Sequence, residues 1–296
     1  MIEKLLTLIK TPLADLIKAR NDLTERYRGQ KDKRMKTLAE KESYLLTRFP
    51  ATFKVAEAVF SKIPFPIDSL LDVGSGPATA SLAALSAHPL SKITCIEQDK
   101  TLLEWAKAMV PLADCRLLDF TRSDFPSAEA VVFSYSIGEI QDPIPIIEKG
   151  YNAASKVLII IEPGTPRAYL NLMKMRSRLI ELGASIIAPC PHLKPCPLKG
   201  EDWCHFSERV QRTRLHKMLK EADLGYEDEK YCYLIVSKLP FEGGSRIIRP
   251  IERHSGHLKM TLCTLDGIQE KTFTRSMDGY SSLKKLDWGQ SLPQEF

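Results

Sequence analysis

Three cysteines of this 296-residue chain are clustered in a way that favours metal chemistry. Cys190, Cys196 and Cys204 lie in the proline-rich segment 188–206, which has no other clear reason to be ordered. Deprotonated thiols are soft ligands that suit zinc or an iron–sulfur cluster, and a metal would hold such a segment in place. Their spacing matches neither a compact zinc knuckle nor a ferredoxin, so it does not distinguish the two metals.

A metal site of this kind needs a fourth ligand. Cys263 lies on a predicted strand and would bring the C-terminal part of the chain onto the segment. His192 and His205 are local alternatives, and either would make the site more typical of zinc. The remaining cysteines lie in or beside apolar runs and are predicted to be ordinary buried residues. They are Cys95, Cys115 and Cys232.

A second candidate site is a glycine-containing loop that follows an apolar run. Asp72 ends the run, and Gly74, Ser75 and Gly76 follow before a helical pattern begins. Glycines permit a tight turn and let backbone N–H groups approach a ligand closely. A dinucleotide loop would have a third glycine, where this chain has Thr79. The loop is therefore predicted to bind the carboxypropyl and ribose parts of S-adenosylmethionine.

Polar residues at the ends of later apolar runs complete this predicted cofactor site. Glu97 follows the loop by about 20 residues, where a carboxylate can accept hydrogen bonds from both ribose hydroxyls. Asp119 ends the third run and is predicted to meet the adenine amino group. Ser134 follows the fourth run, where the methyl-acceptor pocket should open. The segment from Ser134 to Glu139 contains no Pro-Pro-aromatic motif and no cysteine, so no catalytic residue is assigned.

The pattern around these sites predicts a doubly wound α/β fold. Short apolar runs alternate with helix-like segments, which is typical of a parallel sheet covered on both faces. Ligands of such sheets bind at the carboxyl ends of the strands, where the loop and the carboxylates lie. The predicted fold class is therefore a Rossmann-like S-adenosylmethionine-dependent methyltransferase fold. The runs span residues 70–73, 93–96, 116–118, 130–133 and 157–161.

Three regions are expected along the chain. They are a helical N-terminal extension over 1–50, an S-adenosylmethionine-binding domain over 51–240 with the cysteine-rich insertion 188–206, and a small β-rich C-terminal appendage over 241–296. Between the first two regions, a helix is expected to end near Arg48 and a new one to begin after Pro50.

Local signals predict further elements in the second half of the chain. Thr165 should cap a helix that begins at Pro166 and runs to about Leu182. Ser207 should cap a basic helix that runs to about Ala222. Strands are expected over 258–263 and 269–274.

The composition is that of a soluble globular protein, with 44% hydrophobic residues and a net charge of +5. The positive charge is concentrated in three zones, namely Lys18–Lys36, Arg209–Lys220 and Arg246–Lys259. Such zones suit a polyanion, although solvated helix faces would give the same pattern. No stretch approaches the roughly 20 apolar residues that span a bilayer, so no membrane partner is expected.

With these residues in view, the chain resembles the methyltransferase-like family associated with the small ribosomal subunit. That family occurs in bacteria and in mitochondria, where it serves as an assembly factor. The resemblance covers nearly the whole chain, and its cysteine block is more specific than its glycine loop. The matching motifs are Arg26 to Arg28, Tyr44 to Pro50, Asp72 to Thr79, Glu162 to Pro166, Ala188 to His192, Cys196 to Leu198, Trp203 to Phe206, Tyr226 to Lys230 and Leu262 to Thr264.

The resemblance implies a [4Fe–4S] cluster on Cys190, Cys196, Cys204 and Cys263. It also implies S-adenosylmethionine at the glycine loop and contact with small-subunit rRNA during late assembly, which gives the basic zones a partner. The short N-terminus favours a bacterial cytoplasm, or mitochondria if the source is eukaryotic. The oligomeric state is not assigned.

Three functional hypotheses follow. The leading one is a factor that docks on the small ribosomal subunit through basic surface and uses the cluster as a structural element. The second is an active rRNA methyltransferase. The third is a zinc-stapled methyltransferase that acts on a protein or a small molecule.

Overall fold

The structure, a computed structural model, describes residues 5–28, 35–198 and 200–293. Residues 1–4 lie outside the described residues, as does the part of the first basic zone that contains Lys31, Lys33 and Arg34. Within the described ranges, no helix combines the length and the apolar composition needed to cross a bilayer.

An eight-stranded sheet forms the centre of the molecule. Its strands are β1 (Ser69–Val73), β2 (Lys92–Glu97), β3 (Asp114–Leu117), β4 (Ala128–Ser134), β5 (Ala154–Pro163), β6 (Ser185–Ala188), β7 (Phe206–Gln211) and β8 (Tyr226–Ser237). Seven of them follow the order β3-β2-β1-β4-β5-β8-β6, and β7 pairs with β8. Strands β1 to β5 are parallel, and β8 runs antiparallel to β5 and β6. This arrangement confirms the predicted Rossmann-like methyltransferase fold.

Helices cover both faces of the sheet. The helices of the described residues include α1 (Leu13–Arg28), α2 (Leu38–Phe60), α3 (Thr79–Ala87), α4 (Lys100–Met109), α5 (Ile144–Ala153), α6 (Pro166–Glu181), α7 (Arg214–Lys220) and α8 (Tyr280–Leu283). Val132 of β4 packs into the core beneath α2, α3 and α4, whereas its neighbour Phe133 packs into the core beneath α5 and α6. Each fully buried side chain of this size contributes about 1.5–3 kcal/mol, so both cores hold the sheet in place.

The helix predicted after Thr165 is confirmed. Helix α6 spans Pro166–Glu181, and the Thr165 hydroxyl accepts a hydrogen bond from the backbone N–H of Ala168 at 3.2 Å. This side-chain cap supplies a partner for one of the N–H groups that the first helical turn leaves unpaired.

The predicted break at Pro50 is wrong, because α2 runs without interruption from Leu38 to Phe60. A proline inside a helix removes one backbone hydrogen bond. Here the helix continues because Phe49, Ala51 and Val55 on either side of the proline are completely buried in the core. The division of the chain into regions at residues 50 and 240 stays a prediction.

The helix predicted to begin at Ser207 is also wrong. Residues Phe206–Gln211 form strand β7, and the helix begins only at Arg214, where the Thr213 hydroxyl accepts from the backbone N–H of His216. Phe206 and Val210 are buried on one face of the strand, and its backbone pairs with β8. Strand β8 begins 20 residues after β7 begins, so local signals did not reveal the pairing.

A second, smaller sheet follows the central one. Its strands are β9 (Arg246–Ile247), β10 (Glu252–Arg253), β11 (His257–Thr264) and β12 (Gly267–Thr274). Strands β11 and β12 confirm the two strands predicted here. Buried Leu258, Leu262 and Phe273 pack with residues of α8 into a separate small core.

Candidate functional site

The glycine loop lies at the carboxyl end of β1, where the sequence predicts it. The backbone N–H groups of Gly74 and Ser75 both donate to the carbonyl oxygen of Ile96, at 2.8 and 3.0 Å. Gly74 has a φ of +69°, and a Cβ there would lie 2.6 Å from the Cβ of Ser136. Gly76 has a φ of +54° and faces open space. The first glycine is therefore required by close packing and backbone conformation, and the second leaves room in front of the loop.

Glu97, the last residue of the neighbouring strand β2, binds the glycine loop through hydrogen bonds. Its carboxylate accepts hydrogen bonds from the backbone N–H groups of Gly76 at 2.9 Å and Asp99 at 2.8 Å. Only 8% of the residue is exposed, and burial raises its pKa. A carboxylate oxygen has two lone pairs, so both oxygens keep acceptor capacity for a further donor.

Asp72 is the most deeply buried carboxylate of this site, with 1% of its surface exposed. One oxygen accepts from both the backbone N–H and the hydroxyl of Ser81, at 3.1 and 2.7 Å. The other oxygen, Oδ1, is buried and accepts no hydrogen bond from any residue that the structure describes. Burial raises the pKa of Asp72 to about 6, against the opposing effect of the Ser81 hydrogen bonds.

Asp119 and Ser134 occupy different positions relative to the glycine loop. Asp119 is half-exposed, and its carboxylate accepts hydrogen bonds from the hydroxyl and the backbone N–H of Thr121, which lowers its pKa. Ser134 ends β4, beside Ile161 of β5, and is half-buried. Because β1 lies between β2 and β4, the sheet places the glycine loop between Glu97 and Ser134, with Asp119 beyond β2.

The four candidate metal ligands converge on one small cavity. Cys190, Cys196, Cys204 and Cys263 all line it, although Cys263 lies 59 residues beyond Cys204. The cavity has a volume of about 30 Å³, which exceeds the roughly 10–15 Å³ that one water needs. Cys263 is buried and the other three are half-buried. The fold therefore brings the C-terminal sheet onto the proline-rich segment, as predicted for Cys263.

The thiols lie in an apolar setting that also contains arginines. Burial raises the pKa of Cys190 and raises that of Cys263 to about 12, and Arg176 and Arg246 oppose both shifts. Arg176 is only 2% exposed, and its Nη2 donates to the carbonyl oxygens of residues 192 and 194. Its Nε is buried and has no hydrogen-bond partner among residues 5–28, 35–198 and 200–293. Buried guanidinium groups lower the cost of holding several thiolates close together.

The histidine alternatives do not line the cavity. His192 approaches Cys263 from outside, with 3.7 Å between its Nε2 and the sulfur, and its Nδ1 lies 3.1 Å from the carbonyl oxygen of Lys194. His205 stacks on Trp203 with 5.0 Å between the ring centroids. Among the residues that the structure describes, no three His, Cys, Asp or Glu side chains are arranged to hold a single metal ion.

Several residues of the cysteine cavity were not anticipated from the sequence. The Tyr169 hydroxyl donates to the sulfur of Cys196 at 3.1 Å. Tyr233 lines the wall, and its buried hydroxyl has no hydrogen-bond partner in the described part of the chain. Cys232 also contributes to the wall, while its thiol donates to the carbonyl oxygen of Pro163. Tyrosines and a strand cysteine resemble ordinary core residues in sequence, so no local signal marked them.

The second basic zone is largely neutralised within the protein, which corrects the expectation of a basic helix surface. Strand pairing places Arg209 opposite Asp228, and the two side chains form a bidentate ion pair at 2.8 and 2.9 Å. Arg212 and Lys220 both pair with Glu227. These cations contact the acidic start of β8 and are held there.

The third basic zone is also engaged internally. Arg246 is only 6% exposed and donates to two backbone carbonyl groups. Arg249 pairs with Asp202, and Arg253 donates to the carbonyl oxygens of residues 284 and 286. Lys259 is exposed. Most of this zone therefore stabilises the C-terminal sheet.

A larger cavity of about 620 Å³ lies between the first two described helices, α1 and α2, and the carboxyl ends of β4 and β5. Its wall includes Arg20, Arg48, Tyr135, Arg167 and Lys220. The hydroxyl of Tyr135 is buried and has no hydrogen-bond partner within the described ranges, and this residue has a φ of +56°. Left-handed backbone is uncommon for a bulky residue and is often found at functional sites.

Comparisons with known proteins give a family and several distant relatives. A family model described as mitochondrial small ribosomal subunit Rsm22 matches residues 39–293. The human mitochondrial ribosome assembly protein METTL17 is 24% identical, over 84% of this chain and 62% of its own length. The mitochondrial Rsm22-cox11 tandem protein 2 of Schizosaccharomyces pombe is 21% identical, over 76% of this chain and 38% of its own length. The chain thus spans less than two thirds of either relative.

The solved structures that are similar to this chain include the precorrin-6y C5,15-methyltransferase of Geobacter metallireducens. It is 18% identical, with a TM-score of 0.42 over 63% of this chain and 88% of its own.

Proposed function

Because the chain belongs to the Rsm22 family of the mitochondrial small ribosomal subunit, we propose that it is a methyltransferase-like assembly factor of that subunit. The family match, over residues 39–293, confirms the resemblance seen in the sequence motifs. The printed name of the human relative describes a ribosome assembly protein, which supports the proposed role. The names of the human and yeast relatives also support a mitochondrial location, whereas the bacterial cytoplasm stays a prediction.

The proposal includes S-adenosylmethionine at the glycine loop. The unpaired Asp72 Oδ1 supports this site, since a buried acceptor needs a donor such as the cofactor's amino group, directly or through water. Glu97 would accept the ribose hydroxyls, and the open space before Gly76 would admit the cofactor. Asp119 would accept from the adenine amino group, and Ser134 would lie near the sulfonium side of the site.

The proposal also includes a [4Fe–4S] cluster on Cys190, Cys196, Cys204 and Cys263. The observation that carries it is the convergence on one cavity of four cysteines from segments distant in sequence. The donor set fits such a cluster, which is held by four thiolates, and nearby arginines compensate its charge. When bound, the cluster would supply a covalent link between the proline-rich segment and β11.

The choice of a cluster rather than a single zinc ion follows the family resemblance. A zinc ion would require each ligand sulfur to lie about 2.3 Å from one point. In a four-iron cluster each thiolate binds a different iron atom, so the sulfurs would lie further apart. The metal content of the purified protein distinguishes the two.

Contact with small-subunit rRNA is proposed through cations that the fold leaves unpaired. Arg214 is exposed and Lys217 half-exposed on α7, and among the described residues neither forms an ion pair. These side chains can contact phosphate groups, whereas Arg209 and Arg212 would first have to leave their carboxylates.

Sedimentation of extracts through sucrose gradients, combined with mapping of rRNA methylation, tests this function. We expect the wild-type protein and the Cys115→Ser control to sediment with the small subunit, and the Cys190→Ser variant to lose both solubility and association. We expect Asp72→Ala to leave the rRNA methylation pattern unchanged. A Cys190→Ser variant that still associates would contradict the structural role of the cluster. A methyl group lost with Asp72→Ala would favour the second hypothesis, an active rRNA methyltransferase.

A further inference from the structure

The cavity of about 620 Å³ is not used by the proposed function. We propose that it binds one unpaired RNA nucleotide, with the phosphate held by Arg20 and Arg167 and the base against Tyr44 and Tyr135. That the nucleotide belongs to RNA rests on the proposed function. The affinity of the cavity for a nucleotide is measured independently of that function.

The size and position of the cavity suit a ligand. Its volume falls within the roughly 300–1,000 Å³ typical of ligand pockets. The cavity is adjacent to the cofactor loop, because residues 135 to 138 lie between the cavity and the loop. On the loop side, the Ser136 hydroxyl donates to the carbonyl oxygen of Val73 at 2.8 Å and the side chain packs against Gly74. On the other side, Tyr135 lines the cavity.

Four cations and one carboxylate, that of Glu162, line the cavity, and this excess of positive charge favours an anionic group. Arg48 forms a bidentate pair with Glu229 at 2.7 and 2.8 Å, so its charge is compensated. Arg20 lies on α1 and Arg167 on α6, and among the described residues neither forms an ion pair. The planar guanidinium group binds phosphate through two parallel hydrogen bonds, which makes a phosphate the anion that best matches this pair.

The uncharged groups favour a base. The hydroxyls of Tyr135 and Ser43 are buried in the wall without hydrogen-bond partners in the part of the chain that the structure describes, and leaving them unpaired is costly. The edges of a nucleobase carry both donors and acceptors that would pair with them. Tyr44 and Tyr135 offer aromatic faces for stacking, as single-stranded RNA sites do.

Calorimetric titration of the full chain with each ribonucleoside 5′-monophosphate tests the phosphate contacts. We expect at least one to bind, and Arg20→Ala and Arg167→Ala each to weaken it about tenfold or more. Arg275→Ala, which removes an exposed arginine from the C-terminal sheet region, is the matched control and should bind normally. If a folded wild-type chain binds none of the four, or binds nucleosides without phosphate equally well, the proposal is overturned.

A second variant tests the base contact without a risk to folding. Tyr135→Phe removes a hydroxyl that has no hydrogen-bond partner among the described residues, so we expect normal thermal stability and about tenfold weaker nucleotide binding. Tyr233→Phe removes the comparable unpaired hydroxyl of the cysteine cavity and should leave nucleotide affinity unchanged. Unchanged binding in Tyr135→Phe would overturn the placement of the base.

The two proposals fail in distinguishable ways. A protein that sediments with the small subunit but binds no monophosphate contradicts the nucleotide pocket alone. A protein that binds a monophosphate with the expected variant pattern but never associates with the subunit contradicts the proposed function alone.

Discussion

Arg246 and Cys263 lie opposite each other across β9 and β11, and the Arg246 guanidinium donates to the carbonyl oxygen of Pro189 at 3.2 Å. Pro189 immediately precedes Cys190. A second hydrogen bond, 3.0 Å long, joins Arg246 to the carbonyl oxygen of Gly289. One buried arginine therefore joins the C-terminal sheet to the cysteine segment, at the same junction that the proposed cluster would link.

We predict that Arg246→Lys lowers the free energy of unfolding by about 2–4 kcal/mol, because an ammonium group on a flexible stem cannot reproduce both bonds of the buried guanidinium. Urea denaturation of the purified protein measures this. Arg253→Lys is the matched control, since Arg253 also donates to two carbonyl oxygens but is exposed, and we expect a change within about 0.5 kcal/mol. Equal losses in the two variants would contradict the role assigned to Arg246.

The raised pKa of Asp72 predicts how the stability of the folded chain depends on pH. Its pKa in the folded chain is about 6, raised by burial and by the nearby Glu97 carboxylate, against about 3.9 in an unfolded chain. Between these values the folded state binds more protons than the unfolded state, so this group adds stability as the pH falls from about 7 to 4. At pH 7 the ionised carboxylate costs on the order of 2–3 kcal/mol. Asp72→Asn should therefore be more stable at pH 7 and show a flatter pH profile.

The same substitution should weaken the cofactor site. An asparagine can still accept from Ser81, but it lacks the charge that we expect to attract the amino group of S-adenosylmethionine. Calorimetry should show at least about tenfold weaker cofactor binding for Asp72→Asn, and no change for the exposed control Asp68→Asn. A variant that is less stable than the wild type at pH 7 would contradict the burial effect, and unchanged affinity would contradict the binding role.

Arg214 and Lys217 of α7, which form no ion pair among the described residues, give a prediction about RNA affinity and its dependence on salt. Replacing Arg214 and Lys217 together by alanine should weaken association with small-subunit rRNA and reduce the slope of log K against log salt by roughly 2. Filter binding at several salt concentrations measures both quantities. Arg209→Ala is the control, because its charge is already paired with Asp228. A control that reduces the slope as much as the double variant would contradict this assignment.

Features determined by local sequence were predicted well. The apolar runs predicted the parallel strands, and Asp72, Gly74 and Gly76 predicted the loop, because a strand followed by a glycine turn is specified by adjacent residues. The Thr165 cap is similarly local. The placement of Cys263 at the cysteine cavity came from the family resemblance and the need for a fourth ligand, since no local pattern specifies it.

Features determined by distant contacts were missed. Strand β7 forms because β8 pairs with it, and that same pairing neutralises Arg209 through Asp228. Helix α2 continues through Pro50 because the core buries both of its neighbours. The buried guanidinium groups of Arg176 and Arg246 beside the thiols look like surface charges in the sequence, since only tertiary structure brings them inside.

The most direct test is the iron and acid-labile sulfide content of the protein purified without oxygen, together with its visible absorption. We predict a brown wild-type protein with about four iron atoms and four sulfides per chain, as a [4Fe–4S] cluster requires. Cys263→Ser should lose the cluster, whereas Cys115→Ser, outside the cavity, should keep it. A colourless wild-type protein, or one that holds a single zinc ion per chain, would contradict the proposal that these four thiols hold an iron–sulfur cluster.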